Sequence, residues 1–310
     1  QDMKCVGIQY LLAVRRLLQS GWKPTRSVHV SWVPDEEIGG LDGARELVES
    51  EEFAKLNVGF GMDEGLPLAG EDFGVYYAER ATVHVKVLVK GSRAHSATSP
   101  SKTAPMRMLE VLAKAMARRD DLGLRSEPPS GGGLGSGEGL AVGVNLMYVK
   151  TGVESPTSPT GFVMNIIPDV AEAGIDIRVP PHVSRATLEE EVQSWGQCDE
   201  ECLDTSVEII FESDAKAETS HDLVYSKTVM DTLHGLGLSA RYFVFAGGTD
   251  ARYLRSKGIP ALGFSPMNGT VQQLHQANES LDTDLFVKGI ATYEKLISAL
   301  GALPDQAKDE

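Results

Sequence analysis

The sequence is short of positive charge and of long apolar runs, and each shortage argues against a class of protein. Its 29 lysines and arginines are outnumbered by 44 aspartates and glutamates, which gives a net charge of −15. Because nucleic acids and anionic membranes are bound by dense Lys/Arg patches, we expect neither as a partner. No apolar stretch is long enough for a membrane helix, and the first residues lack the basic-then-apolar layout of a signal peptide.

Cysteine is also scarce, with three residues in the whole chain: Cys5, Cys198 and Cys202. Three cysteines cannot all pair within one chain, which favours a reducing compartment, and we therefore expect a cytoplasmic protein. Cys198 and Cys202 lie four residues apart, with no histidine or further cysteine nearby. Two reduced thiols are therefore favoured over ligands of a soft metal.

Apolar periodicity predicts an α/β domain that is built from both ends of the chain. Alternating helices and strands in these parts indicate βαβ units around a mostly parallel sheet. The predicted elements are helix 3–19, strand 27–33, helix 41–49, the apolar run 58–62, helix 222–234, strand 240–245, helix 250–256, strand 261–265 and helix 283–300.

The pattern changes near residue 80 and predicts a second, α+β domain inserted into the first. Antiparallel strands with two helices on one face are expected there, and the Pro-, Gly- and Ser-rich residues 126–139 predict a mobile loop. The inserted domain is assigned to 80–212, and the first domain to 1–79 and 213–310. The predicted elements of the insertion are strands near 83–89, 142–149, 170–178 and 207–211 and helices near 104–118 and 184–195.

Acidic residues follow two of the apolar runs. A triplet at 35–37 comes directly after the predicted strand 27–33, and a pair at 63–64 ends the run 58–62. Functional sites of open α/β sheets gather at the carboxyl ends of strands, so these acids are expected at a common edge. For either motif alone, a merely solvated acidic loop stays an open interpretation.

Two of the seven histidines differ from the rest in their setting. His275 lies in an irregular segment after the predicted strand 261–265, and His95 lies in the loop after the insertion's first strand. A structural role is the simpler interpretation for the other five. Asp, Glu and His together suit Zn²⁺, and a carboxylate that bridges two such ions gives a centre that activates water. An adjacent glutamate that binds no metal can then serve as the general base.

Six motifs occur along the chain in a specific order. They are Gln1-Asp2-Met3-Lys4, Pro34-Asp35-Glu36-Glu37-Ile38-Gly39-Gly40, Asp63-Glu64-Gly65, Gly91-Ser92-Arg93-Ala94-His95-Ser96, Gly247-Gly248-Thr249-Asp250-Ala251-Arg252 and Pro260-Ala261-Leu262-Gly263-Phe264-Ser265-Pro266-Met267-Asn268. This ordered set resembles the zinc aminoacylases, the N-acyl-L-amino-acid amidohydrolases of the dinuclear-zinc carboxypeptidase/aminoacylase metallopeptidase family. The likeness covers nearly the whole chain. It implies an α/β, zinc-exopeptidase-like catalytic domain with an inserted α+β lid and dimerisation domain.

The resemblance implies hydrolysis of N-acyl-L-amino acids to a carboxylate and a free L-amino acid by a zinc-activated water. Asp2 would be the carboxylate that bridges two zinc ions, and a cis peptide bond would follow it. Glu37 and His275 would complete one zinc site, and Glu64 would belong to the other. Glu36 would be the general base.

The resemblance also implies residues that contact the substrate. His95 would come from the partner subunit of a homodimer and stabilise the tetrahedral oxyanion. Asn165 and Arg252 would position the substrate, with Arg252 binding its carboxylate, and Thr249 would line the same pocket. A salt bridge with Asp250 is the structural alternative for Arg252.

One departure from the family pattern concerns the second zinc site. The family takes a histidine for it from a His-x-Asp motif upstream of the bridging aspartate, and no histidine of this sequence stands there. Because the chain begins with Gln1, we expect an N-terminally truncated protein that can be inactive by itself, whereas its full-length form holds two zinc ions per subunit. Two other functions stay open: a metallo-exopeptidase (dipeptidase or carboxypeptidase) on the same fold, and a catalytically impaired dimerising protein.

Overall fold

A computed structural model describes residues 1–121, 142–198, 202–213 and 217–304 of the chain. The loop predicted at 126–139 lies outside these residues. The helices are α1 (Lys4–Gln19), α2 (Glu46–Glu49), α3 (Glu51–Leu56), α4 (Ala104–Asp121), α5 (Arg185–Trp195), α6 (Val224–Gly235), α7 (Ala251–Ser256) and α8 (Thr283–Gly301). The strands are β1 (Gly61–Asp63), β2 (Phe73–Glu79), β3 (Ala81–Lys90), β4 (Ala94–His95), β5 (Gly143–Thr151), β6 (Ile166–Ile167), β7 (Val170–Val179), β8 (Asp204–Glu212), β9 (Ala240–Phe245) and β10 (Ala261–Phe264).

The described residues form two compact units. The first unit comprises residues 1–80 and 217–304, and the second comprises 81–121, 142–198 and 202–213. None of the helices in these segments is long and apolar enough to cross a membrane.

The first unit is built on a four-stranded sheet with the order β1-β10-β2-β9. β1 runs parallel to β10 and β2 runs parallel to β9, but β10 and β2 are antiparallel. The sheet is therefore mixed, and the expectation of a mostly parallel sheet is wrong at β2. The sequence gives no sign of β2 because the strand is buried on both faces and shows no alternation. α1 and α8 pack in a shared core that includes Val6, Phe264 and Tyr293.

The predicted strand 27–33 is wrong. No strand of the described chain pairs with this segment, which carries no ladder of backbone hydrogen bonds. Val28, Val30 and Trp32 are 41%, 44% and 58% exposed. Because a strand is defined by its partner as well as by its own residues, the β-type composition alone does not make one here. Trp32 instead lies against Gly7 of α1, where a Cβ would collide with the indole ring.

The second unit confirms the predicted antiparallel sheet with two helices. Its strands are ordered β5-β7-β3-β8, and each neighbouring pair is antiparallel. Val83, Val85, Val87 and Val89 of β3 are fully buried, whereas the residues between them are at least partly exposed. This alternation has the period of two that lets one sheet face bury against helices while the other faces water.

The sulfur atoms of Cys198 and Cys202 lie in contact, and the expectation of two reduced thiols stays a prediction. Their Cα atoms are 6.4 Å apart, which is within the range that a disulfide can bridge. Cys5 is a free, half-buried thiol in the first unit.

Candidate metal centre and active site

Three residues that are far apart in the sequence converge in the first unit. The His275 Nε2 atom lies 3.2 Å from Asp2 Oδ2 and 2.8 Å from Glu37 Oε2. One possible ligand atom from each of the three residues lies within 4.8 Å of the others. Asp2 precedes α1 and is followed by the cis peptide bond that the resemblance implied. Two carboxylate oxygens and one imidazole nitrogen in this arrangement can share a single cation.

The loop that carries Glu37 is shaped by left-handed backbone. Asp35, Gly39 and Gly40 have φ values of 58°, 116° and 63°. The turn is closed by the Gly40 amide, which donates to the Asp35 carbonyl oxygen at 2.8 Å. The Asp35 carboxylate accepts from the Asp42 amide at 2.9 Å. These bonds hold Glu36 and Glu37 in a single 3₁₀ turn, Glu36–Ile38.

The loop that carries His275 is anchored by the side chain of Gln1, which the sequence analysis did not single out. Gln1 Nε2 donates to the carbonyl oxygens of Val271 and Ser280 at 2.9 and 2.6 Å, and Gln1 Oε1 accepts from the Gln273 amide at 2.9 Å. Gln1, the residue before Asp2, therefore also holds the loop that carries His275. No motif of residue types signals this role, because it depends on which loop lies opposite.

Glu64 lies beside this group at the end of β1. It is 6% exposed. Burial, followed by the nearby carboxylates of Asp63, Glu36 and Asp2, raises the pKa of Glu64 well above its usual range. Asp63 was not predicted as a site residue. Its carboxylate accepts from the Glu64 amide at 2.8 Å and from the Ala251 amide at 2.6 Å, and so joins this turn to α7.

Glu36 is part of the same acidic group. Burial raises its pKa to about 8, and the carboxylates of Asp250, Glu37 and Asp63 contribute in the same direction. Carboxylates brought together in this way repel one another, and a divalent cation would remove most of that repulsion. The donor set of carboxylate oxygens with one imidazole also suits such an ion by its chemistry. The residues therefore fit a metal centre.

Thr249 and Arg252 lie together around a buried carboxylate that was not predicted, Glu79 of β2. The Thr249 amide and hydroxyl each donate to Glu79 at 2.8 Å, and Arg252 Nη1 lies 3.9 Å from it. Arg255 also pairs with Glu79, which is 1% exposed. The structural alternative for Arg252 thus has Glu79 rather than Asp250 as its partner. Thr249 is 3% exposed and Arg252 11% in its side chain, so their contact with a substrate stays a prediction.

His95 and Asn165 lie next to each other in the second unit. His95 in β4 pairs with Ile166 in β6, and the Ser96 amide donates to the Asn165 carbonyl oxygen at 3.0 Å. The exposed His95 ring accepts from the Ala97 amide through Nδ1 at 3.1 Å. With Nδ1 accepting, the neutral ring carries its proton on Nε2, which leaves that atom as a donor. These two predicted residues therefore share one short ribbon.

Comparison with known proteins defines the class. The model of the family described as "Peptidase family M20/M25/M40" matches residues 1–299, so the chain belongs to this family. Within it, the chain is similar to aminoacylase-1 of Mus musculus, with 35% identity over 306 residues that make up 98% of this chain and 71% of that protein. The chain is also similar to aminoacylase-1 of Homo sapiens, with 34% identity over 315 residues that cover 100% of this chain and 72% of that protein.

Solved structures share the fold. An M20 family metallo-carboxypeptidase from Sulfolobus solfataricus superposes with a TM-score of 0.62 at 15% identity, covering 98% of this chain and 77% of its own. Human carnosine dipeptidase 1 gives a TM-score of 0.59 at 11% identity, covering 97% of this chain and 73% of its own. The zinc-exopeptidase-like α/β fold implied by the motifs is confirmed.

The metal centre can be tested by removing its one imidazole. We expect His275→Ala to weaken Zn²⁺ binding by about 100-fold or more, since even residues that only support a ligand contribute 10- to 100-fold. Competition with a fluorescent chelator measures the affinity. His182→Ala, at an exposed position in the second unit, is the matched control and should bind like the wild type. Equal affinities for the wild type and His275→Ala would contradict the assignment.

Proposed function

We propose that the protein hydrolyses N-acyl-L-amino acids to a carboxylate and a free L-amino acid in a metal-dependent reaction. The observation that carries this proposal is the convergence of Asp2, Glu37 and His275 on one possible metal site. The neighbouring Glu36 is not one of these three residues. The aminoacylase-1 relatives, at 34–35% identity over nearly all of this chain, support the substrate class. The much lower identity to the peptidase structures supports only the fold.

Zinc is the metal that we propose. Asp2, Glu37 and His275 would hold one ion, and Asp2 with Glu64 would take part in a second site. Such ions supply Lewis acidity, which polarises a carbonyl group and lowers the pKa of water. The orientation of the ligands is the contribution of the chain, and it comes from the Gln1 contacts on one loop and the left-handed turn on the other.

Glu36 is proposed as the general base. It is adjacent to Glu37 in the same 3₁₀ turn but is not one of the three residues that converge. It would take a proton from the attacking water and pass it to the leaving nitrogen. Arg252, Thr249 and Asn165 are proposed to position the substrate, with Arg252 binding its carboxylate.

A homodimer is proposed because His95 belongs to the second unit, whereas the residues that converge belong to the first. β5 is an edge strand of the second unit's sheet. Its outer residues include Met147 at 65% exposed and Val149 at 47%. An apolar edge strand of this kind is a ready site for pairing with another chain. We propose that His95 of the partner subunit completes each site and stabilises the oxyanion.

A cytoplasmic location stays a prediction. The third function considered, a dimerising protein without catalysis, is distinguished by metal content. Two zinc ions per subunit in the full-length form would support catalysis, and one or none in that form would favour the scaffold.

The proposed reaction is tested with Glu36→Gln, which keeps the shape of the side chain but cannot accept the proton. We expect kcat on N-acetyl-L-methionine to fall by about 100- to 10,000-fold, with Zn²⁺ affinity within about threefold of the wild type because Gln is isosteric. Release of free methionine is the assay. Glu52→Gln is the control, because its side chain is 81% exposed on α3. Retained activity in Glu36→Gln would defeat the base assignment.

The rival metallo-exopeptidase function uses the same metal and base, so only substrates separate the two. The solved metallo-carboxypeptidase and dipeptidase structures with this fold motivate the comparison. We expect kcat/KM for N-acetyl-L-methionine to exceed that for simple dipeptides by about 10-fold or more, as one well-placed polar contact discriminates at least this strongly. A preference for dipeptides would replace the proposal with the exopeptidase.

The role of His95 across the dimer is tested by mixing inactive subunits. His95→Ala and Glu36→Gln proteins should each be nearly inactive as homodimers. A 1:1 mixture should regain up to about one quarter of wild-type kcat per subunit, since half of the subunits in a random mixture are in heterodimers and one of the two sites there is intact. Native mass spectrometry verifies that mixed dimers form. Their formation without recovery of activity would count against a shared site.

A further inference from the structure

The carbonyl oxygen of Gly39 is held by two consecutive residues of α7. Arg252 Nη2 donates to it at 2.8 Å, and the Tyr253 hydroxyl donates at 2.5 Å. Gly39 lies two residues after Glu37 and three after Glu36. Because a carbonyl oxygen accepts two hydrogen bonds, these donors fill its capacity. α7 therefore fixes the end of the turn from which both glutamates project.

Tyr253 is held firmly enough to fix the position of the Gly39 carbonyl oxygen. It is 7% exposed, and its ring packs with Ala44 and Val48, which lie just beyond the turn. Packing on the ring fixes the hydroxyl in space even before the hydrogen bond is counted. Arg252 contributes a second contact, because its guanidinium lies 4.8 Å from the centre of the Tyr253 ring.

The backbone of the turn lies directly against this part of α7. A Cβ at Gly40 would collide with the Asp250 carboxylate and crowd the Tyr253 ring. The φ of Gly40 is 63°, so a side chain there would also strain the backbone. Close approach at Gly40 and the paired hydrogen bonds at Gly39 act at adjacent residues. The residues at and before the start of α7 thus hold the end of the turn that contains Gly39 and Gly40.

The position of the Glu37 carboxylate depends on the backbone of the turn more than that of a buried side chain would. Its side chain is 54% exposed, so packing does little to hold it, yet its Oε2 atom lies 2.8 Å from His275 Nε2. The position of its backbone therefore decides whether the carboxylate reaches the histidine.

We propose that Tyr253 is a positioning residue whose hydroxyl, through the Gly39 carbonyl, places Glu37 at the metal centre and Glu36 at the attacking water. The part that concerns Glu36 rests on the proposed function, whereas the part that concerns Glu37 rests only on metal binding. The two parts are therefore tested by separate measurements.

Tyr253→Phe removes the hydroxyl and keeps the ring. We expect Zn²⁺ affinity to fall by about 10-fold, the lower end of the range for residues that orient ligands. We expect kcat on N-acetyl-L-methionine to fall by about 10-fold or more because the base is displaced, with KM changed by less than about twofold. Chelator competition and steady-state kinetics are the two measurements.

Two control variants separate the hydroxyl from general loosening. Tyr242→Phe removes another tyrosine hydroxyl of the same unit, one that donates to the Ser226 carbonyl at 3.2 Å. Val48→Ala thins the packing beside Tyr253 and leaves its hydroxyl in place. Both should keep wild-type Zn²⁺ affinity. Wild-type affinity in Tyr253→Phe overturns the proposal, and so does an equal loss in Val48→Ala, because packing would then be the cause.

A double-mutant cycle tests the route through Glu37. In the Glu37→Gln background, Tyr253→Phe should change Zn²⁺ affinity little further, because the ligand that it positions is already lost. Independent, additive losses would overturn the proposal, as would failure of Tyr253→Phe to fold, which would make Tyr253 a structural residue. A wild-type protein that binds Zn²⁺ but cleaves no N-acyl amino acid would sink the proposed function and leave these affinity comparisons valid.

Discussion

Mutual repulsion among carboxylates is the constraint around which the first unit is arranged. Asp2, Glu36, Glu37 and Glu64 lie near one another, and the pKa values of Glu36 and Glu64 are raised first by burial and then by nearby carboxylates. Glu36 titrates near 4.5 when unfolded and near 8 when folded. Between these values the folded chain holds a proton that the unfolded chain has released, so without a cation the stability falls as the pH rises through this window. A bound divalent ion would reverse the effect by favouring the ionised carboxylates.

A second acidic position in the same unit shows what the chain does when it neutralises a buried charge by itself. Glu79 is 1% exposed and is paired with Arg255 and Arg252, and it also accepts two hydrogen bonds from Thr249. Burying a carboxylate without such partners would be prohibitive. The ion pairs described for Asp2 and Glu37, in contrast, are with His275, whose side chain is 68% exposed. The chain supplies arginines where a carboxylate is structural and leaves a solvent-facing histidine where we propose that a cation binds.

The sequence predicted the converging residues better than it predicted the sheet that brings them together. Glu37 and His275 stood out as an acid after an apolar run and a histidine in an irregular segment, whereas Asp2 was predicted only from the resemblance of the motifs. β2 could not be predicted, because a strand buried on both faces has no alternation to detect. At 27–33 a strand was predicted where none forms. The segment has the composition of a strand, but a strand also needs a pairing partner, and the sequence of one segment does not specify its partner.

Supporting residues were missed for a related reason. Gln1, Asp63, Glu79 and Tyr253 act through backbone atoms of distant segments, and any residue able to donate or accept at that place would look the same in the sequence. Tyr253 stands one residue after Arg252 inside a recognised motif, yet only its contact with Gly39 reveals what it holds. Roles of this kind depend on which loop lies opposite, and that is decided by the whole fold.

Backbone strain gives an independent argument for where function lies in the first unit. Left-handed φ values at residues other than glycine are uncommon and cost free energy, so they persist where the surroundings enforce them. Asp35 and His275 both have a φ of 58°, and Asn278 has one of 67° in the histidine loop. These residues are Asp, His and Asn, the types other than glycine that tolerate the left-handed region best, which suits them to the loops that meet at the proposed metal centre. Gln1 supports one of these loops and α7 supports the other.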